Sequence, residues 1–558
     1  MKIAFLKKIF KKDYIFLIVT AIAVIFMVEA IFVYGNLLKK ENYYTGLNTI
    51  ALIDGPVYFS YIEQVKDGNF LFRNLFNSND DFRVFNPFWL TVGLVAKIFK
   101  ISSPLIIQIF SIILIPLLVL ALYKIIDLLL EADKNKKRLC LIYSLFIAGL
   151  GIFIFPFVIY FIENIDVMTD LSLDLWAYES DIFMTLRYYP HAILSLALIL
   201  FIFYFFLKAL SDKGYKNIVI AGFLTLLLFS FHPFQGPLIY GLTLTYLIVK
   251  FLVNKKFDFK AIKKYLLLVI ISLPSVIYYL FILTINRNLY LKSMQNFCPM
   301  PNFLLFLISY GLGLILALYW IYFLVKNKKI NNLNLFLIVW LSANIIIVFL
   351  PFNFQRRMLG SFSVTVAILS FAAIDYFYQR LKSYPLVVKA VYLLAILFFS
   401  TITNLYTYAQ NFAFVRESAA GKVDQSYLIF VDPNINSAMT WYKQNALASD
   451  TILTGLESGG LLPGLTGKKV YFGHPIETVN FETKRAQAEF FYENNDRDEL
   501  KKDFLKANQI SYIFYSDLEK KLGDFQPAQK DYLSEVYKNE KINIYKVNIS
   551  SDGAANKT

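Results

Sequence analysis

The chain has little cysteine, little histidine and a shortage of acid. Two cysteines and three histidines are spread over 558 residues, and 55 lysines and arginines face 40 aspartates and glutamates. No tight metal-ligand cluster, no glycine-rich phosphate-binding motif and no nucleic-acid motif occurs. These absences weigh against a soluble nucleotide-dependent enzyme and against a nucleic-acid-binding protein. What the chain does have is apolar surface. A content of 57% hydrophobic and 18% aromatic residues, with a mean hydropathy of +0.53, exceeds what a soluble core needs and marks a polytopic membrane protein.

Apolar runs long enough to cross roughly 30 Å of hydrocarbon recur along the first three quarters of the chain. About eleven spans are expected, starting near Tyr14, Pro104, Leu139, His191, Ile218, Pro237, Tyr265, Asn302, Asn331, Gly360 and Val387. The predicted fold class is therefore mainly α, a multi-pass membrane protein with a mixed α/β domain at the C-terminus. Lysine sets the orientation. "KKIFKKDY", "EADKNKKR", "SDKGYKN", "NKKFDFKAIKK", "VKNKK" and "QRLKSYP" fall on one side if the spans alternate, and basic short loops belong in the cytoplasm. This places the protein in the plasma (cytoplasmic) membrane with its N-terminus inside. The first span is too long for a cleavable h-region and is expected to persist as a signal anchor. The expected division is a transmembrane domain over 1–404, with a long first outer loop over 37–103, and an extracytoplasmic domain over 405–558 ending in a disordered tail from about residue 550. Most of the formal charge of +15 then lies in cytoplasmic loops, where it records topology and contact with anionic membrane lipid. Cys140 and Cys298 fall on opposite sides, so no disulfide is expected.

On this topology the polar residues that are hardest to explain as solvated loop collect at the outer face. Asp54 opens "DGPVYFSYIEQVKDGNF"; the second outer loop reads "DVMTDLSLDLWAYESDIFMTLRYYPHA", and later loops carry "FHPFQGP" and "PFNFQRRMLG". Asp54 precedes Val57, Tyr61 and Val65 at i, i+4, i+8 spacing, so it reads either as the cap of an interfacial helix, whose bonds make a carboxylate a poor base, or as a general base at a cavity mouth. His191 reads as part of an aromatic belt or as a site residue, and His232 as a hairpin residue or as a site residue. Arg356 and Arg357 break the positive-inside bias; they either snorkel to lipid phosphate or form the fork that a phosphate ligand requires. Glu29 lies inside the first span, where a carboxylate faces a cavity or packs in neutral form.

Beyond Asn404, "ASDTILTG", "KKVYFG", "ISYIFYS" and "INIYKVN" predict strands, and "NFETKRAQAEFFYENN" and "RDELKKDFLKAN" predict helices. "ESGGLLPGLTG" and "GHPIET" predict loops, the second holding His474 and Glu477, which either gate an acceptor or serve as turn residues.

A signal anchor, a long first outer loop with an acid near its start, many further spans and an outer C-terminal domain together resemble the GT-C superfamily of membrane glycosyltransferases. That superfamily includes the protein O-mannosyltransferase and aminoarabinose-transferase types. "DGPVYFSYIEQVKDGNFLFRNLF", "NPFWLTVGLVAKIF", "YESDIFMTLRYYPHAILS", "HPFQ", "QRRMLG" and "TGLESGGLLPGLTGKKVYFGHPIETVNFETKRAQAEFF" look like a bacterial branch of that group. One departure stands out: many relatives carry two adjacent acids in the first loop, whereas Gly55 follows Asp54. The resemblance implies transfer of a sugar from a polyprenyl-phosphate donor to a glycan, lipid or protein acceptor. One carboxylate would act as base in an inverting reaction, with positive charge on the departing phosphate. It implies Asp54 as base, with Glu179 and Asp181 as further catalytic acids. Arg356 and Arg357 would bind the carrier phosphate, while Glu29, Tyr58, His191, His232, Gln235 and His474 would orient substrates. No cofactor is expected, and the residues leave a divalent metal open. A transporter or flippase of lipid-linked sugars and a scaffold for envelope assembly are the alternatives; a charge-poor midplane favours the enzyme.

Overall fold

The computed structural model describes residues 12–549 apart from 48, 51 and 79, so the expected disordered tail lies outside the described residues. Among them, eight helices are long and apolar enough to cross a membrane: Asp13–Leu38, Ser103–Leu129, Lys134–Phe161, Pro190–Ser211, Pro233–Asn254, Phe259–Ile285, Gln355–Arg380 and Leu386–Ala419. Three shorter apolar helices, Lys216–Phe231, Gly311–Lys326 and Asn332–Val348, occupy the places of the spans expected from Ile218, Asn302 and Asn331. The chain divides into two compact units, one of residues 1–31, 108–281 and 297–412, the other of 32–107, 282–296 and 413–558.

In the first unit two of the expected spans are interrupted. Lys134–Phe161 consists of helices Lys134–Phe146 and Gly151–Phe161, and the span from Asn302 consists of Phe303–Ile308 and Gly311–Lys326. The two breaks pack on each other. The Leu150 N–H donates to Ile308 O at 2.9 Å, and a Cβ on Gly149 would stand 2.3 Å from the Ser309 backbone, so only glycine admits this approach. Every freed backbone group costs free energy in apolar surroundings unless the protein pairs it. Here Ala148 N–H donates to Ser400 O at 2.6 Å. The Thr403 hydroxyl donates to Gly149 O at 3.0 Å, the Asn404 amide to Phe146 O at 3.2 Å, Leu173 N–H to Ser309 Oγ at 2.8 Å and Gly151 N–H to the Asp174 carboxylate at 3.0 Å.

The second unit groups residues 32–107 and 282–296 with the C-terminal segment. Its five-stranded sheet runs in the order Lys469–Val470, Thr451–Leu453, Ile510–Tyr515, Asn543–Val547, Leu533–Lys538. The first three strands are parallel and the last two pairings antiparallel. Phe472, Phe491, Ile513 and Phe525 fill the core beside it. "ESGGLLPGLTG" corrects the expectation of a loop, because Leu456–Thr466 is a helix. Its small residues serve close approach rather than turning: a Cβ on Gly464 would meet Pro56 Cα at 2.8 Å. The neighbour there is helix Gly55–Lys66, which starts on Pro56 and buries Val57, Phe59, Ile62 and Val65. Glu63 of that helix is clamped by Lys66 at 2.8 Å and Lys443 at 2.5 Å. Despite its burial, the two ammonium groups hold its carboxyl below the usual range.

Gly149→Ala is expected to lower the unfolding temperature in detergent by several degrees, because the two breaks must separate. Gly214, where an added Cβ would meet nothing within 4 Å, tolerates the same change. Thermal unfolding followed by size-exclusion fluorescence measures both.

Candidate functional site

The stretch between helices Gly151–Phe161 and Pro190–Ser211 belongs to the first unit and brings Glu179 between the two arginines. Glu179 is 2% exposed; Arg356 Nη1 lies 3.4 Å from one carboxylate oxygen and Arg357 Nη1 3.4 Å from the other. Both arginines sit in a 3-10 turn, Gln355–Leu359, just before helix Phe362–Arg380. The turn is anchored by Arg356 N–H donating to Cys298 O at 3.1 Å and by Gln235 Nε2 donating to Arg357 O at 2.7 Å. Aromatic faces take the rest of the cationic surface. The Arg356 guanidinium lies 4.3 Å from the Trp176 ring centroid, and Arg357 donates to the Tyr178 hydroxyl at 2.5 Å. Tyr178 in turn stacks on Tyr188 with centroids 3.8 Å apart. Such planar, stacked guanidiniums are held in one orientation, which a lysine ammonium could not reproduce.

The two histidines of this unit join the cluster. Their rings meet edge to face at 5.2 Å, and His232 Nδ1 is 3.0 Å from the Ser195 hydroxyl. A cavity of about 20 Å³ is lined by Tyr178, Glu179, Ser195, His232, Gln235 and Arg357. That volume admits about one water molecule.

Asp181 is two residues from Glu179 but is engaged elsewhere. It caps the short helix Ile182–Leu186 by accepting the Met184 N–H at 2.8 Å, and it accepts from Ser180 Oγ at 3.0 Å and Asn404 Nδ2 at 3.4 Å. Burial pushes its carboxyl up to about 6 against those bonds and the charge of Arg187. Asp174, in the 3-10 turn Leu173–Leu175, accepts the Gly151 N–H at the start of helix Gly151–Phe161 and is pushed up to about 7 by burial. Glu29 belongs to helix Lys12–Leu38, and its Oε1 is buried without a hydrogen-bond partner among the described residues.

In the second unit Asp54 precedes helix Gly55–Lys66, yet its side chain makes no hydrogen bond to that helix's N-terminus. Asp54 thus holds the N-cap position of the helix through its backbone carbonyl, which accepts from Val57 N–H at 3.1 Å and Tyr58 N–H at 3.3 Å. Its carboxylate, 30% exposed, has Oδ1 3.8 Å from His474 Nε2. His474 lies in the loop after strand Lys469–Val470, and Glu477 of that loop forms an ion pair with Lys292. Tyr58, one turn along from Asp54, stacks on Trp89 at 4.7 Å. Among the described residues no group of three or more His, Cys, Asp and Glu side chains is placed to hold a metal ion.

The structure thus gathers Glu179, His191, His232, Gln235, Arg356 and Arg357 in one unit, and Asp54 with His474 in the other. Trp176, Tyr178 and Ser195 do not stand out in the sequence. Ser195 has a signal there, because it follows His191 by four residues on one helix face. The aromatics have none in a chain where 18% of residues are aromatic.

No protein-family model matches the chain, and none of the curated proteins does. Among the solved structures that resemble it is the archaeal oligosaccharyltransferase AglB from Archaeoglobus fulgidus, bound to an inhibitory peptide and a dolichol-phosphate. Its identity is 12% and the TM-score 0.52, over 88% of this chain and 69% of that one. Another is the arabinofuranosyltransferase AftD from Mycobacteria, at 10% identity and a TM-score of 0.52, over 96% of this chain but only 40% of that one. The chain is similar in architecture to these GT-C membrane glycosyltransferases, as the sequence resemblance implied. At such identities the likeness is one of fold.

Asp174 and Asp181 retain protons in the folded chain at pH values where carboxyls at the ordinary 3.8 have lost them. The unfolded state then binds fewer protons, so the contribution of these two groups to stability falls as pH rises from about 4 to about 7 and then levels. Unfolding temperatures measured across that range are expected to show the decline, with Asp174→Asn and Asp181→Asn each flattening part of it.

Proposed function

We propose that the protein is a glycosyltransferase of the plasma membrane that moves a sugar from a polyprenyl-phosphate carrier to an acceptor at the outer face. The observation that carries the reading is a pair of guanidiniums, Arg356 buried and Arg357 half-buried, on one buried carboxylate. Two positive charges against one negative leave a single positive charge, which suits the one negative charge of a sugar–phosphate–lipid diester. When the sugar departs, the phosphate gains a second negative charge. Oriented guanidiniums stabilise that developing charge without a proton donor. The fold shared with AglB, a protein seen with a dolichol-phosphate, supports a lipid-linked donor.

On this reading Arg356 and Arg357 take the phosphate, and Glu179 stays beside them, offsetting one of their two charges and keeping them aligned as its contacts open for the donor. His191, His232 and Gln235 orient the sugar. Asp54 takes the proton from the acceptor hydroxyl as the new glycosidic bond forms, and no general acid or metal is required. Its partial exposure and the absence of a cap hydrogen bond from its side chain suit a base. Asp181 supports the fold of the loop that carries Glu179, while Tyr58 and Trp89 offer an aromatic face to sugar or acceptor.

The test is release of free polyprenyl phosphate by purified protein given a panel of polyprenyl-phosphate sugars and crude envelope acceptor. Wild type is expected to release it. Asp54→Asn should lose about 10³-fold and Arg357→Lys about 10²-fold, with folding checked by thermal unfolding. Release by Asp54→Asn at the wild-type rate would remove Asp54 as the base. Absence of release with every donor, together with movement of labelled donor across vesicles, would replace the enzyme by a transporter.

A further inference from the structure

We propose that His474 is the positioning residue of Asp54: a neutral imidazole whose Nε2–H is aimed at Asp54 Oδ1 and which keeps its proton throughout the reaction. This rests on the reading of Asp54 as the base and adds what holds it ready.

The first support is the tautomer. His474 Nδ1 accepts two backbone N–H groups, Ile476 at 3.1 Å and Glu477 at 3.2 Å. A nitrogen that accepts must present its lone pair, so the ring proton is on Nε2. The second is direction and burial. His474 is 3% exposed, and Nε2 is buried with no hydrogen-bond partner among the described residues. The Asp54 carboxylate stands 3.8 Å in front of it, a small side-chain adjustment from hydrogen-bond contact.

The third support is rigidity. The Thr478 hydroxyl accepts from the Gly473 and His474 N–H groups at 3.2 and 3.3 Å and donates to Phe76 O at 2.7 Å. Asn74 donates to Glu477 O at 2.7 Å, and Gln295 donates to Thr478 O at 3.0 Å. The edge of Phe76 packs on the imidazole with centroids 5.7 Å apart. Three stretches of chain thus fix the ring, as a partner that orients a reactive group requires. The charged groups around the pair are Glu477 and Lys292, which neutralise each other, with Asp80 acting on Lys292 and the buried Tyr61 beside them.

The consequence for the reaction follows from the hydrogen-bond count. An N–H aimed at a carboxylate oxygen favours the charged form, the form that takes the acceptor's proton. The acceptor O–H bond breaks toward Asp54, its oxygen bonds to the sugar carbon, and the carbon–oxygen bond to phosphate breaks with its electron pair going to phosphate. Asp54 later loses the proton to water. His474 passes no proton on, because Nδ1 is occupied by two donors.

The chain contains only three histidines, so ¹⁵N-imidazole spectra of the full protein in detergent resolve each one, assigned with His191→Gln and His232→Gln. The remaining imidazole is expected in the Nε2–H form, and its Nε2 resonance should move in Asp54→Asn while the other two stay. A proton on Nδ1, or no response to Asp54→Asn, overturns the proposal without any activity being measured. In the release assay His474→Gln, whose amide N–H reaches the place of Nε2–H, should keep the acid limb of kcat/KM. His474→Met should raise that limb by about one pH unit and lower kcat more than it changes KM. Loss of activity in His474→Met with an unmoved limb would show a merely structural histidine. Wild-type release by Asp54→Asn would instead overturn the assignment of the base, leaving the imidazole spectrum to judge the contact.

Discussion

The first unit depends on pairing the backbone groups set free where two of its apolar helices break. A continuous helix satisfies its own N–H and C=O groups, but a broken one exposes them where no water is at hand. The breaks at 147–150 and 309–310 solve this by facing each other, and Ser309, Ser400, Thr403, Asn404 and Asp174 supply the remaining partners. These bonds also lead to the site. Leu173 and Asp174, tied to the breaks, open the stretch that continues through Trp176, Tyr178 and Glu179. Asn404, which holds the Phe146 carbonyl, reaches the Asp181 carboxylate as well. The position of Glu179 is in this sense set by how the breaks are filled.

Burying three charges together is costly unless they compensate one another, and breaking such a set costs more than forming it gains. Arg356, Arg357 and Glu179 meet this condition with each guanidinium on its own carboxylate oxygen and an aromatic partner behind it. The arrangement resembles an anion site already holding an anion.

Much of this is readable from the residues, and for identifiable reasons. Apolar runs report spans because length and composition alone decide whether a helix suits a bilayer. "QRRM" stands out because adjacent arginines defy the bias of the surrounding loops, and Glu179 is visible among the acids of the second outer loop. Their pairing is not readable, since 177 positions separate Glu179 from Arg356 and nothing local joins them. The helix breaks are hidden because "FIAGLGIF" and "LISYGLGL" have the hydropathy of continuous spans. The helix Leu456–Thr466 has the sequence of a loop because glycine signals both turns and close packing; contact with Pro56 decides between them. The spacing around Asp54 fits cap and base equally, and the proximity of its carboxylate to His474, 420 positions away, is invisible in the sequence.

The cavity of about 20 Å³ beside Glu179 has a bearing on selectivity. A site kept closed by its own carboxylate does not respond to negative charge alone, because a small anion brings no further binding energy to offset the contacts it must break. Under the proposed function a lipid-borne phosphate would bring it, through the long apolar chain that remains in the bilayer. On that proposal, closure of this kind would act as a filter: free phosphate and sulfate pass by, and an anion delivered on a hydrocarbon tether gains entry.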